Sequence, residues 1–437
     1  MLAQVLYASG AFGFNVLTQT LLLWLVYYFA PPPDSGRPTI VPLATLGAIL
    51  VAGRILDAVD DPAIGHWSDV TRSRWGRRLP FVVAGTPLLA LAFVAIWLAP
   101  ASETAGPLWA ALYAFVVLQA YSLCYTVVHQ PYEAVLAEIA RRPSERVRVS
   151  ALKVTFGVAG AAVGLIGSGR LIGLAGFPGM AAIFVGLAAA SILVSALGIR
   201  RLPAAPAHSR DLSVWDGLRL TAKNGQFLVF VCSEVAFYLG LNMLTSLVPY
   251  FVTVLLRRPE ADVSWFTGAF FLAVLASLPA VNWLVARRSK AFAYRLAMAL
   301  LAVMLPGLFF VGTVPGIDPF WQALVYIALL GAPMSAVFVL PNPLIGDIID
   351  YDETRTGLRR EGVYFGVEET LGKAGTALSA AIFGLVLGAF GYSAEQPLGI
   401  RLIGPVAGLG VLLGLLAFTL GYRLPDEIPA PVSRVAA

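Results

Sequence analysis

Long apolar runs dominate this chain, and each is long enough to cross a lipid bilayer. A helix needs ~20 apolar residues to span the hydrocarbon core. With Pro, Gly and charge clusters as breaks, such runs fall at roughly 3–30, 40–67, 79–99, 107–138, 149–172, 177–199, 225–256, 263–285, 291–313, 319–348, 363–391 and 398–423. Their length predicts helices, because barrel strands are ~10 residues long with alternating polarity. The polar intervals are short except for residues 200–224, RRLPAAPAHSRDLSVWDGLRLTAKN, which part six runs from six. The pattern predicts an all-α membrane protein of about twelve transmembrane helices. Its expected parts are a bundle over 1–199, a cytoplasmic linker over 200–224, a second bundle over 225–423 and a cytoplasmic tail over 424–437. Two six-helix bundles flanking a midplane cavity form an architecture of secondary transporters.

Composition supports lipid as the solvent. The chain is 58% hydrophobic and 13% charged, with mean hydropathy +0.80, whereas soluble domains carry about 25% charged residues. The net charge of +5 does not point to nucleic acid, because the basic residues lie in short loops between apolar runs. Arg72, Arg74, Arg77 and Arg78 follow the second run, Arg141, Arg142, Arg146 and Arg148 the fourth, and Arg200, Arg201, Arg210, Arg219 and Lys223 the sixth. Arg287, Arg288 and Lys290 follow the eighth, and Arg355, Arg359 and Arg360 the tenth. The alternate connections are nearly bare apart from Arg37 and Arg257/Arg258. The positive-inside rule then places both termini in the cytoplasm of a bacterial-type inner membrane. The opening residues, MLAQVLYASG, lack a basic n-region and cleavage site, so the first run reads as a retained helix. Cys124 and Cys232 sit in apolar context and suggest no disulfide framework. Trp24, Tyr27, Tyr28, Trp97 and Trp321 fall near span ends and read as interfacial anchors.

Ionisable groups inside a membrane are costly and mark candidate sites. In GRILDAVDDPAIG, Asp57, Asp60 and Asp61 stand at i, i+3 and i+4, on one helix face, with Arg54 one turn before Asp57. Three carboxylates beside one arginine leave excess negative charge, which a bound cation or shared protons must balance. Oxygen ligands suit Na⁺ or H⁺. The competing structural reading is a salt-bridged kink at Pro62. In CYTVVHQPYEAVLAEI of the fourth span, Tyr125, His129, Tyr132 and Glu133 share one side, with Thr126 beside them. They suggest the wall of a polar pocket, although a lone buried histidine is also a common structural group. Glu138 lies near the loop, with the arginines there. In the eleventh span Glu369 and Lys373 are an i, i+4 pair. Lys373 lies too deep for easy snorkelling and needs a carboxylate, either Glu369 or the Asp57/Asp61 cluster. Glu234 in the seventh span stands as a lone carboxylate. The small residues of GVAGAAVGLIGSG, 157–169, suit close helix packing.

The segment from Gly65 to Arg78 resembles the loop signature of the major facilitator superfamily. RILDAVDDPAIGHWSDVTRSRWGRRLPF more specifically resembles the second-span and loop signature of the glycoside-pentoside-hexuronide:cation symporters, of the melibiose-carrier type. YTVVHQPYEAVLAEI and IGDIIDYDETRTGLRREGVYFG followed by Lys373 resemble the same family, over about Gly10 to Tyr392. The resemblance implies the major facilitator fold and Na⁺, Li⁺ or H⁺ symport by alternating access.

Carried over by position, the resemblance implies that Asp57, Asp61 and Thr126 are cation ligands, which makes Na⁺ possible there. Lys373 would couple the two bundles, with Arg54 beside the ion cluster. Where sugar carriers of this family grip hydroxyls with carboxylates, this chain has Asn15 and His129. Asp60 replaces an amide, and the extra carboxylate favours H⁺. A substrate would then meet Asn15, Tyr125, His129 and Glu133, and Asp69, Arg77, Arg141 and Arg359 would close a cytoplasmic gate by charge pairing. A related branch resembles lysolipid–sodium symporters, so an amphiphile is the alternative solute. The partners expected are a small molecule and membrane lipid, with no nucleic acid and a functional monomer. No Walker-type loop is present, and His66, His129 and His208 lack metal-ligand spacing. An ATP-driven pump and a metalloenzyme are therefore not expected.

Overall fold

The computed structural model describes residues 1–71, 73–139, 143–201, 221, 223–356 and 361–424. Every regular element among them is helical. The long helices are α1 (Leu2–Phe29), α2 (Leu43–Val70), α3 (Leu79–Ile96), α4 (Pro107–Ile139), α5 (Pro143–Ala162) and α6 (Ser168–Arg200). They continue as α7 (Gly225–Tyr250), α8 (Val263–Arg287), α9 (Lys290–Gly307), α10 (Pro319–Val339), α11 (Pro341–Thr356), α12 (Glu361–Phe390) and α13 (Leu398–Gly421). Most of the 200–224 linker and the 424–437 tail lie outside the described residues.

Ten stretches among the described residues are long and apolar enough to cross a membrane. One of them, Arg148–Arg200, has 53 residues. At 1.5 Å per residue that is about 80 Å, more than twice the ~30 Å hydrocarbon core. Gly176 divides it, with φ 67° and ψ −179° inside α6, a backbone conformation that glycine adopts without a Cβ clash. That run therefore makes two passes joined at Gly176, the first of them carrying a π-helical turn at Val163–Gly167. Helix α2 is too charged to pass as apolar, yet its 28 residues are ample for a crossing. Together these give the twelve-pass, all-α membrane fold expected from the apolar runs.

The chain divides into two compact units. The first holds residues Met1–His208 with Ser246–Gly268 and Leu387–Pro397, and the second holds Ser209–Thr245, Ala269–Val386 and Leu398–Ala437. In the first unit α1 is the central helix, and glycines bring its neighbours to backbone contact. A Cβ on Gly160 would lie 2.2 Å from the Phe12 carbonyl oxygen, and one on Gly198 would lie 2.4 Å from the Tyr7 nitrogen. This is the close packing read from the 157–169 segment, in a solvent where small residues rather than hydrophobicity drive helix association.

Polar pairs fix the register of these helices. Tyr7 donates to the Tyr132 carbonyl at 3.0 Å, and Tyr132 donates to the Tyr7 carbonyl at 3.1 Å. Both rings are fully buried. Tyr132→Phe removes one arm of this reciprocal pair. We expect it to cost about 0.6 kcal/mol, the measured mean for hydrogen bonds within membrane bundles, and at most about 1.7, which thermal unfolding in detergent would detect.

The aromatic anchors need correction. Trp24, Tyr27 and Trp97 are at most 1% exposed and belong to the protein core, while Trp321 is 58% exposed. Trp24 donates its indole N–H to Ser168 Oγ at 2.8 Å, and Trp97 stacks on Phe177 with ring centroids 5.4 Å apart. Span-end position indicates depth in the bilayer but not which way a ring faces. Within the same unit, Arg37 has a structural partner: its Nη2 lies 2.9 Å from Glu260 Oε2, and Tyr27 donates to Glu260 Oε1 at 3.2 Å. Tyr250 donates to the carbonyls of Val26 and Ala30 at 3.1 and 2.6 Å.

The second unit is built the same way. A Cβ on Gly404 would sit 2.5 Å from the Leu305 carbonyl oxygen, so α13 lies directly on α9. Asn242 donates to Thr376 at 3.0 Å and Ser379 to the Leu239 carbonyl at 2.9 Å, which ties α7 to α12. Lys290 pairs with Asp347 at 2.5 Å.

Candidate ion and solute site

Helices α2 and α4 lie side by side in register. The Ser122 hydroxyl donates to Asp57 Oδ1 at 2.6 Å, and one turn later Thr126 donates to Asp61 Oδ1 at 3.0 Å. A Cβ on Gly53 would meet Gln119 Oε1 at 2.5 Å, and one on Gly65 would meet Gln130 Oε1 at 3.4 Å. Positions 53, 57, 61 and 65 thus face 119, 122, 126 and 130, each set advancing about one turn per step. Residue numbers rise together on the two helices, so they run parallel, as two even-numbered passes must.

Asp57 is the best-enclosed carboxylate of the cluster, 8% exposed. Its second oxygen receives Arg54 Nη1 at 3.1 Å. Asp60 is half-buried and takes no part in the α2–α4 bridges. The structure therefore brings together Asp57, Asp61, Thr126 and Arg54 and adds Ser122. Among the described residues no three His, Cys, Asp or Glu side chains gather to hold a metal ion. The α2–α4 donor set is two carboxylates and two hydroxyls, all hard oxygens, against one guanidinium. Such hard oxygens fit Na⁺ or a proton.

A second polar cluster lies one to two turns further along α4. His129 Nε2 is 3.5 Å from Glu133 Oε1, and Lys153 Nζ on α5 donates to Glu133 Oε2 at 2.5 Å. Tyr125 stacks on His129 with centroids 4.9 Å apart, and Phe14 meets His129 edge-on at 4.8 Å. Thr18 donates to the Tyr125 hydroxyl at 3.4 Å. Lys153 also lies 5.1 Å from the centroid of the Tyr132 ring. Asn15 turns its amide back onto the Ala11 carbonyl at 2.9 Å, and a Cβ on Gly157 would lie 3.1 Å from its Nδ2. Three of the four substrate candidates, Tyr125, His129 and Glu133, therefore form one surface, while the amide of Asn15 is engaged by its own helix.

Lys153, Phe14 and Ser122 were not singled out from the sequence. Lys153 stands near the start of a span, where a lysine ordinarily snorkels. Ser122 precedes Thr126 by four residues, and that spacing against Asp57 and Asp61 was the available signal.

In the second unit Lys373 pairs with Glu369 at 3.4 Å, the local one of its two anticipated partners. Of the gate candidates, Arg77 is half-buried. The side chains of Asp69 and Glu138, and all of Arg141 and Arg359, lie outside the described residues.

A family model described as MFS/sugar transport protein matches residues 6–427. An uncharacterized symporter of Synechocystis sp. is 25% identical, with 90% of this chain and 86% of that protein covered. A glucuronide carrier protein homolog of Escherichia coli is 24% identical over 96% and 92% of the two chains. The sodium-dependent lysophosphatidylcholine symporter 1 of Gallus gallus is 23% identical over 87% and 79%. The crystal structure of the nucleoside transporter NupG superposes with TM-score 0.66 at 12% identity, covering 97% of this chain and all of that one. At that identity the likeness speaks for the fold alone.

Proposed function

Because this chain belongs to the MFS/sugar transport protein family and is a membrane transporter rather than an enzyme, we propose that it is a cation-coupled symporter. It couples inward movement of Na⁺ or H⁺ to uptake of a glycoside or uronide by alternating access. The observation that carries this reading is the paired bridge Asp57–Ser122 and Asp61–Thr126 with Arg54 at one end. It is a built set of hard oxygen donors, two carboxylates and two hydroxyls, at membrane depth, where ionisable groups are expensive unless used.

The solute site in this reading is the α4 surface beyond the ion site. The Tyr125, His129 and Phe14 rings offer apolar faces to a sugar ring. Glu133 and Lys153 offer an acceptor and a donor for hydroxyls, and Lys153 a counter-charge for a uronate. The ion enters the Asp57/Asp61 cluster with hydroxyl help from Ser122 and Thr126. Solute binds one to two turns away on the same helix, so each ligand can stabilise the α4 placement that the other needs. Such coupling is reciprocal by thermodynamic necessity. Lys373, held by Glu369, takes the coupling role, and the bundles 1–199 and 225–423 rock about the 200–224 linker. Asp69, Arg77, Arg141 and Arg359 close the cytoplasmic side. The protein works as a monomer in the inner membrane with both termini cytoplasmic.

A lysolipid is the second reading. The opposed charges of Lys153 and Glu133 also match a zwitterionic head group, and one relative is named for such a solute.

Calorimetry on the purified protein with glycosides, uronides and lysolipids, each with Na⁺ or at varied pH, separates the two. Glycoside or uronide binding that tightens with the ion supports the sugar reading. Lysolipid binding without a sugar response replaces it. In the sugar case Glu133→Gln removes a charged hydrogen-bond partner worth about 1.5–3 kcal/mol. The dissociation constant is then expected to rise about 10- to 150-fold. An unchanged constant would move the solute elsewhere.

A further inference from the structure

Glu234, the lone carboxylate of the seventh span, has a partner that its own helix does not supply. It is the tenth residue of α7 and only 2% exposed. Its side chain adjoins that of Glu368 on α12, the helix that Asn242–Thr376 and Ser379–Leu239 tie to α7. The Glu234 Oε1 is buried and has no hydrogen-bond partner among the described residues. Tyr294 and Tyr238, the latter one turn further along α7, are the phenols that interact electrostatically with Glu234. Glu369 adjoins Glu368 and faces Lys373. All of these groups belong to the second unit.

An ionised carboxylate only accepts hydrogen bonds, so two carboxyl groups share one only with a proton between them. Two negative charges at that separation repel, and the pair gives up its protons in coupled steps rather than independently. The group acting on Glu234 is the Glu368 carboxyl, and Glu234 in turn acts on the phenols of Tyr238 and Tyr294. At membrane depth a doubly ionised pair would add two negative charges to an apolar interior. A single proton halves that charge and supplies the hydrogen bond.

We infer that Glu234 and Glu368 form a proton-binding site inside the second unit, separate from the Asp57/Asp61 cluster, holding one proton between two carboxyl groups. Tyr238 and Tyr294 flank the site and could relay the proton to and from it. This goes beyond the symport reading, which leaves the ion open and places it on α2. It concerns proton binding and does not require that reading to be right.

The test is infrared spectroscopy on purified full-length protein in detergent at neutral pH, without Na⁺. The C=O stretch of a protonated carboxyl lies apart from the carboxylate bands and shifts in deuterium oxide. The expected result is a deuterium-sensitive carboxyl band in the wild type that vanishes in Glu234→Gln and in E234Q/E368Q but persists in Asp57→Asn. Glutamine keeps the size and hydrogen-bonding capacity of the side chain, and the helical amide band of the same sample verifies the fold. A wild type without the band, or a band that survives in the double variant, would overturn the inference. So would a band discharged by Na⁺ at constant pH, because the pair would then be a sodium site. Reconstituted wild type should also take up solute in response to an imposed pH gradient, and Glu234→Gln should not. Absence of all uptake with the band intact would remove the transport reading and leave the proton site standing.

Discussion

Asp57→Asn should bring the internal-to-external solute ratio in ion-energised proteoliposomes down to about 1, the value for uncoupled equilibration, while solute-for-solute exchange persists. The substitution keeps the shape of the side chain and one acceptor oxygen for Ser122, so the α2–α4 register is retained. It removes the charge that the ion balances. Arg54 loses its carboxylate partner but is 39% exposed at its side chain and can turn to water. The defect should therefore lie in coupling rather than in folding. Exchange needs only the loaded carrier to reorient, and a neutral amide at position 57 stands in for the ion-loaded state. Thr126→Ala should weaken the same function less, because it removes one neutral donor from Asp61. Wild-type accumulation by Asp57→Asn would end the assignment of the ion to α2.

Gly160→Ala should be the most damaging single-methyl change in the first unit. The added carbon would sit 2.2 Å from the Phe12 carbonyl oxygen, and that atom belongs to backbone rather than to a side chain that can swing away. Helices α1 and α5 would have to separate by more than an ångström. Overpacking of a tight interior costs about 1–3 kcal/mol, sometimes more. The same shift would disturb Asn15 opposite Gly157 and draw Lys153 away from Glu133, so solute binding should fall with stability. Detergent thermal unfolding and calorimetry on the same sample would show both losses. Gly186→Ala, where the added carbon has nothing within 4 Å, is the matched control and should leave both unchanged.

The fold was legible because run length and loop charge are strong signals in a lipid solvent. The break between the fifth and sixth runs, set from sequence between residues 172 and 177, coincides with the non-helical Gly176. Arg54 beside Asp57 followed from three-residue spacing, and Asp61 with Thr126 from family resemblance. Contacts between helices distant in sequence were not legible. Ser122 reads as a serine free to bond its own helix, and only α2 opposite it reveals the bridge to Asp57. Lys153 stands near a span end, and only the packing of α5 against α4 brings it to Glu133. Glu368 was hidden beside Glu369, whose i, i+4 partner Lys373 is visible in the sequence, while the partner of Glu368 lies on α7. Periodicity also placed Asp60 on one face with Asp57 and Asp61, but a helical face is broad, and the facing α4 hydroxyls reach only two of the three.

Linkage between ion and solute at Asp57 is the central claim, and solute affinity measured with and without the coupling ion tests it most directly. Calorimetric titration of wild type and Asp57→Asn should show a 5- to 150-fold tightening by the ion in the wild type, the usual span of such couplings, and no tightening in the variant. Equal tightening in both proteins would contradict the account and place the coupling ion away from Asp57.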